Sequence, residues 1–103
     1  MGQLELNGTL VDVNEEGYLT DPSQWDEEIA AEIAQSLNIT LTSKHFEVIN
    51  FLREKFEEGV PLSIRRVNKS GVCDIKTFYG LFPGGPLKVS SKIAGIPKPA
   101  SCV

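Results

Sequence analysis

The chain has few of the side chains that most enzymes use for chemistry. Its 103 residues include a single histidine, His45, and two cysteines, Cys73 and Cys102. The cysteines match no zinc spacing such as C-x2-C. His45 has no second histidine or serine nucleophile to work with, and no opposed pair of carboxylates suggests a hydrolase. We therefore expect no metal, no cofactor and no stand-alone catalyst, and we assign His45 a packing or capping role.

Long hydrophobic runs and targeting signals are also missing. No run of 18 apolar residues occurs, so we expect no membrane-spanning segment. The start, MGQLELNG, has neither the basic region nor the apolar stretch of a secretory signal. The expectation is a cytoplasmic protein whose thiols stay reduced, folded as a single domain over residues 1–103.

Charge is distributed unevenly along the chain. Residues 1–60 carry 13 acidic and 3 basic side chains, whereas residues 61–103 carry 1 acidic and 7 basic ones, so the two parts have net charges of −10 and +6. One interpretation is a basic face that meets an acidic partner, an anion or nucleic acid. The other is that the two parts neutralise each other in the fold.

The first third of the sequence predicts a hairpin and a helix. LELNGTLVDV alternates apolar and polar residues, and Asn7-Gly8 suits a tight turn. A helix is expected from Pro22 or Ser23 to about Asn38, with acidic residues in its first turn. Its apolar positions recur at steps of four: Trp25, Ile29, Ile33 and Leu37.

A long helix followed by three shorter ones is predicted for the rest of the chain. Thr42 is expected to cap the helix SKHFEVINFLREKFEE, which Gly59 ends. A third helix is expected to run from Leu62 to about Ser70, and a fourth, IKTFYGLF, to follow the cap Asp74. A fifth begins at Pro86 and ends near Ala94, since proline suits the first position of a helix.

The predicted fold class is α+β and mainly helical. It consists of an N-terminal β-hairpin, a small helical bundle and a flexible C-terminal arm over about residues 95–103. The third and fourth helices, joined by a turn that contains Gly71, resemble a helix-turn-helix unit. Pro97 and Pro99 exclude regular helix and strand from the arm.

A helix-turn-helix raises the possibility of a DNA-binding regulatory protein. Arg65, Arg66 and Lys69 on the third helix and Lys76 on the fourth would be placed to contact phosphates. However, the fourth helix would be the recognition helix, and DIKTFYGLF offers few polar side chains for base edges. This composition argues against direct sequence-specific DNA binding.

The two cysteines differ in their surroundings. Cys102 is the penultimate residue, on an arm that proline stiffens, so that inserting it into a partner costs less entropy than for a glycine-rich tail. An exposed thiol is an oxidation liability unless it has a use, so we assign Cys102 a reactive role. Cys73 lies between apolar residues near a helix start, and we assign it to the core.

The C-terminal residues also carry a resemblance to a known family. LFPGGPLKVSSKIAGIPKPASCV resembles the signature of the DsrC/TusE family of sulfur-trafficking proteins, L-F-P-x-G-P-x-K followed at the terminus by G-[LI]-P-K-P-x-x-C-[VI]. EEGYL, Trp25 and LTSKHFEVINFLRE are similar to motifs of the family's N-terminal half. Arg65, Lys69 and Tyr79 also fall where the family has these residue types, so the resemblance covers essentially the whole chain.

The resemblance implies a role for the arm. In the family the penultimate cysteine carries sulfur, and the arm delivers it into the active sites of partners. The corresponding residue here is Cys102. We expect a sulfurtransferase-type carrier, with Arg65, Lys92 and Lys98 as contacts for partners or anionic sulfur. The implied partners are sulfur donor and acceptor proteins, either dissimilatory sulfite reductase or a relay complex for tRNA thiolation.

One position departs from part of the family. Members that partner dissimilatory sulfite reductase carry a second arm cysteine eleven residues before the penultimate one, where this chain has Ser91. TusE-like members also lack this second cysteine. An engineered replacement of cysteine by serine at position 91 would give the same pattern. The short stretch from Lys69 to Tyr79 instead resembles the sulfite reductase partners. Both branches remain open, as does a non-reactive docking subunit of sulfite reductase.

Overall fold

The structure is a computed structural model that describes residues 2–6 and 8–97. Two strands, β1 (Gly2–Leu6) and β2 (Thr9–Val13), form an antiparallel hairpin with Leu6 opposite Thr9. The helices are, in chain order, α1 (Glu27–Ser36), α2 (Ser43–Glu57), α3 (Ile64–Ser70), α4 (Ile75–Leu81) and α5 (Pro86–Ile93). The predicted α+β class, with a hairpin followed by a mainly helical bundle, is confirmed.

The start of α1 differs from the prediction. Trp25 is extended, with φ −81° and ψ 144°, and it follows a separate 3-10 turn, Pro22–Gln24. The carboxylate of Asp26 accepts a hydrogen bond from the Ile29 amide at 2.9 Å, which caps the helix and fixes its first residue at Glu27. Trp25 is therefore not part of α1.

His45 has the predicted capping role at the start of α2. Its Nδ1 accepts a hydrogen bond from the Thr42 amide at 3.1 Å, so the ring takes the place that Glu or Gln has in a capping box. Because Nδ1 accepts, Nε2 carries the proton and donates to the Leu81 carbonyl, 2.9 Å away. The ring also packs edge-on against Phe82. His45 thus joins α2 to the end of α4.

Helices α3 and α4 form the predicted pair around a glycine turn. Ser63 and Asp74 cap their starts, and Gly71 ends α3 with φ 82°. Cys73 lies in the connection and is only 6% exposed, which confirms its place in the core. On α4, the apolar Ile75 and the aromatic Tyr79 are exposed, next to the exposed polar side chains of Lys76 and Thr77.

Helix α5 is central to the core. It contacts α1, α2 and α4, and its Leu87 and Ile93 are fully buried. Both belong to one core cluster, whose other members include residues from the hairpin, the loop after it, the first two helices and the end of α4, among them Val11, Leu19, Ile29, Ile49, Leu52, Phe78 and Phe82. The end of α5 is consequently held in place by most of the fold.

Among the described residues no helix is both long enough and apolar enough to cross a membrane.

Candidate functional site

Helix α5 ends in a tight C-terminal cap. The Gly95 amide donates to the Lys92 carbonyl and the Ile96 amide to the Ser91 carbonyl, each at 3.2 Å, with Gly95 at φ 69°. This is a Schellman motif, which normally includes the residue after the glycine. Ile96 is 1% exposed. Of the arm predicted over about residues 95–103, residues 95 and 96 complete the helix cap and belong to the core.

Trp25 packs directly on this cap. Its Nε1 donates to the Ile93 carbonyl at 2.8 Å. The ring lies so close to Gly95 that a Cβ atom at that position would be 2.4 Å from Trp25 Cδ1. Only glycine fits there, both for space and for the positive φ. Trp25 and Gly95 together fix where the chain leaves α5.

Arg53 holds the same point from α2. Its guanidinium donates to the Ala94 carbonyl at 2.7 Å and to the Pro22 carbonyl at 3.1 Å. The guanidinium carbon also lies 4.2 Å from the centroid of the Trp25 ring. The pKa of Arg53 is lowered, because the effect of burial is larger than the opposing effect of the Glu57 carboxylate. We call Trp25, Arg53 and Gly95 the exit clamp.

The sequence alone does not predict the exit clamp. Trp25 fits the four-residue spacing of α1, and Arg53 falls beside the apolar stripe of α2. A cation next to an otherwise apolar helix face is a signal, because a part-buried guanidinium requires acceptors. The sequence does not show that these acceptors are the carbonyls of two distant segments.

Lys92, a predicted contact residue, lies on the exposed side of α5. Its Nζ is 6.0 Å from the centroid of the Tyr18 ring, and Tyr18 in turn donates a hydrogen bond to the Lys88 carbonyl at 3.2 Å. Tyr18, Lys88 and Lys92 line one shallow groove, together with Glu16. Lys92 is thus near the end of α5, one helical turn before the exit clamp.

Arg65 lies in a different groove. Its neighbours there are side chains of α2 and α3 and not Lys92. The structure does not bring these two predicted contact residues together in one cavity. The other two predicted site residues, Cys102 and Lys98, lie outside the described residues.

The remaining cysteine is unsuited to sulfur chemistry. Burial raises the pKa of the Cys73 thiol above its ordinary value, with Asp74 adding to the rise and Lys44 opposing it. The thiolate is the nucleophilic form, so a buried thiol with a raised pKa reacts slowly. Among the described residues, no group of three or more His, Cys, Asp or Glu side chains is placed to hold a metal ion.

Ser91 is a buried polar group without a partner among the described residues. It is 0% exposed, and its hydroxyl makes no hydrogen bond. Its neighbour Ser90 is also 0% exposed, but the Ser90 hydroxyl donates to the Leu87 carbonyl at 3.2 Å. An unsatisfied buried hydroxyl costs about 1–3 kcal/mol. The position therefore tolerates a less polar side chain of similar size.

Ser91→Ala is expected to leave the free energy of unfolding unchanged or to raise it by up to about 1–2 kcal/mol, because it removes the unsatisfied hydroxyl. Ser90→Ala is the matched control, since it removes a satisfied hydroxyl one position earlier in α5. It is expected to lower the free energy by about 0.5–1.5 kcal/mol. Urea unfolding measures both. A larger loss for Ser91→Ala than for Ser90→Ala would contradict this account.

Comparison with known proteins identifies the family of this fold. The family model described as "DsrC like protein" matches residues 5–103. The chain belongs to this family. The match extends to the last residue, so it includes the C-terminal signature and Cys102. The predicted family is therefore confirmed.

Curated relatives cover nearly the whole chain. Sulfurtransferase TusE of Yersinia pestis is 36% identical, with 97% of this chain and 99% of that protein aligned. The TusE homologue of Haemophilus influenzae is 39% identical over the same shares of the two chains. These names support a role in sulfur transfer for the family.

Solved structures from the other branch are equally similar. The NMR structure of Allochromatium vinosum DsrC is 37% identical with a TM-score of 0.84, covering 98% of this chain and 97% of that one. The oxidised gamma-subunit of the dissimilatory sulfite reductase (DsrC) from Archaeoglobus fulgidus is 36% identical with a TM-score of 0.83, covering 99% and 100%. Identity alone does not favour one branch of the family over the other.

Proposed function

We propose that the chain is a sulfur carrier that accepts sulfur as a persulfide on Cys102 and transfers it to a partner protein. The observation that carries the proposal is the family match through the C-terminal signature, in which Cys102 is the penultimate residue. Relatives with nearly the same length are sulfurtransferases by name, which supports the same class of activity here.

The proposed chemistry is thiol exchange and needs no cofactor. The Cys102 thiolate attacks the outer sulfur of a donor persulfide, R–S–SH. A sulfur–sulfur bond forms on Cys102 as the donor's bond breaks, and the donor leaves as a thiolate. The acceptor then attacks the outer sulfur in the same manner, which regenerates the Cys102 thiolate. No net oxidation or reduction occurs in either transfer.

The exit clamp supports this function by fixing the point from which Cys102 is delivered. Ile96 is the last buried residue of the described chain, and Cys102 lies six residues beyond it. Six residues span at most about 20–22 Å. We propose that this length sets the depth to which the thiol enters a partner, with Lys92 and Lys98 contacting the partner near the entrance.

Several classes of partner fit the proposal. The relatives named TusE are sulfurtransferases, and the gamma-subunit belongs to a dissimilatory sulfite reductase. We propose sulfur donor and acceptor proteins of one of these two systems as partners. Ser91, on α5, stands where family members that partner sulfite reductase carry a second cysteine. Cys102 therefore cannot form an internal disulfide with that position, and each delivery passes the sulfur directly to the acceptor.

Cyanolysis after loading tests the proposal. The protein is incubated with a persulfide donor, freed of excess donor and treated with cyanide, which removes the outer sulfur as thiocyanate. We expect about one equivalent of thiocyanate from the unaltered chain and from Cys73→Ala, and none from Cys102→Ser.

Thiocyanate from Cys102→Ser at the level of the unaltered chain would overturn the assignment. A docking subunit that needs no thiol would release none from any variant, and Cys102→Ser would retain its function with the partner. Circular dichroism checks that both variants are folded.

A further inference from the structure

A groove lies between α2 and α3, and we call it the basic groove. It has a volume of about 410 Å3, within the range of about 300–1,000 Å3 that is typical of small-molecule sites. The side chains that line it are Phe51, Lys55, Ser63, Arg65, Arg66, Lys69 and Ser70. All four charged residues among them are basic, although the whole chain has 14 acidic and 10 basic residues. The positive charge is therefore concentrated here.

Three of these cations repel one another without compensation. Arg65, Arg66 and Lys69 are exposed, and none of them makes an ion pair within residues 2–6 and 8–97. Lys69 is three residues from one arginine and four from the other, spacings at which like charges on a helix are destabilising. The fourth cation, Lys55, is paired with Glu58 at 3.2 Å. Binding of an anion would remove a repulsion that the chain alone leaves in place.

The basic groove is separate from the exit clamp. Phe51 and Lys55 are each two residues from Arg53 on α2, which places them about 160° around the helix from it. Arg53 faces Trp25 and the end of α5, so the groove opens on the other side of α2. A small ligand in the groove would leave the C-terminal segment free to engage a partner.

The arrangement favours a compact anion with several charges. Arg65 and Lys69 are only about 6 Å apart along the axis of α3, and Lys55 approaches from α2. A nucleic-acid backbone instead requires cations spread along a track of several nucleotides. Lys76 on α4, which would extend such a track, is not part of the groove. Guanidinium groups bind phosphate oxygens in pairs, which suits two arginines in one groove.

We propose that the basic groove binds a soluble polyphosphate, meaning a small molecule with two or more linked phosphate groups such as a nucleoside triphosphate. This site is additional to the sulfur-carrier function and does not depend on it. Arg65, Arg66 and Lys69 contact the phosphate groups, and the ring of Phe51 supplies an apolar wall for an organic group.

Calorimetric titration with sodium tripolyphosphate at about 0.15 M salt tests the site. We expect one equivalent to bind with a Kd below about 1 mM, and amide NMR shifts to change along α3. The double variant R65Q/K69Q is expected to weaken binding at least about tenfold. Because the removed side chains repel each other in the free chain, this variant should remain as stable as the unaltered protein.

The matched control is K76Q/K88Q, which removes the same number of positive charges outside the groove. It should change the Kd less than about twofold, since exposed charges at a distance are screened by salt. Equal weakening by the two double variants, or binding that does not saturate, would overturn the proposal. So would a 12-nucleotide single strand that binds at least about 100-fold more tightly than tripolyphosphate and shifts the amides of α4, because the site would then be a nucleic-acid surface.

Discussion

Gly95→Ala is expected to lower the free energy of unfolding by about 2–5 kcal/mol. The positive φ of 69° costs an alanine about 1–2 kcal/mol, and overpacking adds about 1–3 kcal/mol. The added methyl would lie 2.4–2.8 Å from three atoms of Trp25. The ring cannot move away easily, because it is held by the Ile93 carbonyl and by Arg53. Thermal unfolding should show a fall in Tm of roughly 10–20 °C.

Gly59→Ala is the control that isolates the contact with Trp25. Gly59 ends α2 in the same motif, with its amide bonded to the Phe56 carbonyl and the Val60 amide bonded to the Lys55 carbonyl. Its φ is 76°, but a Cβ there would meet nothing within 4 Å. It should therefore lose only the backbone part, about 1–2 kcal/mol. Equal losses in the two variants would show that Trp25 does not restrict position 95.

Arg53→Met is expected to lower the free energy of unfolding by about 1.5–5 kcal/mol. Methionine keeps the apolar reach of the side chain but leaves the buried Ala94 carbonyl without its hydrogen bond, at a cost of about 1–3 kcal/mol. The lost contact with the face of Trp25 adds about 0.5–2 kcal/mol. Urea unfolding gives the change, and amide exchange should rise first at Gly95 and Ile96, whose conformation the exit clamp fixes.

Arg66→Met provides the comparison for Arg53→Met. Arg66 is exposed, and its side chain makes no hydrogen bond or ion pair to the described residues. Its replacement should change the free energy by no more than about 0.5 kcal/mol. If Arg53→Met were as mild as Arg66→Met, the hydrogen bonds of Arg53 to Ala94 and Pro22 would contribute nothing to holding the end of α5.

Local sequence signals predict most of the helix boundaries in this fold. Thr42 and Asp74 cap helices where expected, and the glycines at 59 and 71 end them. The local pattern predicts that the third helix starts at Leu62, but Ser63 caps it and it begins at Ile64. Capping depends on the side chain and on backbone groups two or three residues away, so the sequence contains all the participants. The hairpin follows from the same kind of local information, since its register is set by the turn.

Contacts between distant segments could not be predicted in this way. Trp25 matches the spacing of α1, yet its position is decided by Asp26, which starts the helix later, and by Ile93, 68 residues away. The local pattern predicts that the arm starts at about Gly95, because glycine ends helices and two prolines follow. The burial of Ile96 depends on the surrounding core, which the local sequence does not describe. The function of Cys102 was predicted from the family resemblance and remains a proposal.

Intact-mass spectrometry after incubation with a persulfide donor shows whether Cys102 carries sulfur. We expect the unaltered chain and Cys73→Ala each to gain the mass of one sulfur atom, peptide mapping to place it on Cys102, and Cys102→Ser to gain none. A gain that persists in Cys102→Ser, or no gain in the unaltered chain with a donor that loads other thiols, would contradict the assignment of Cys102 as the sulfur-carrying residue.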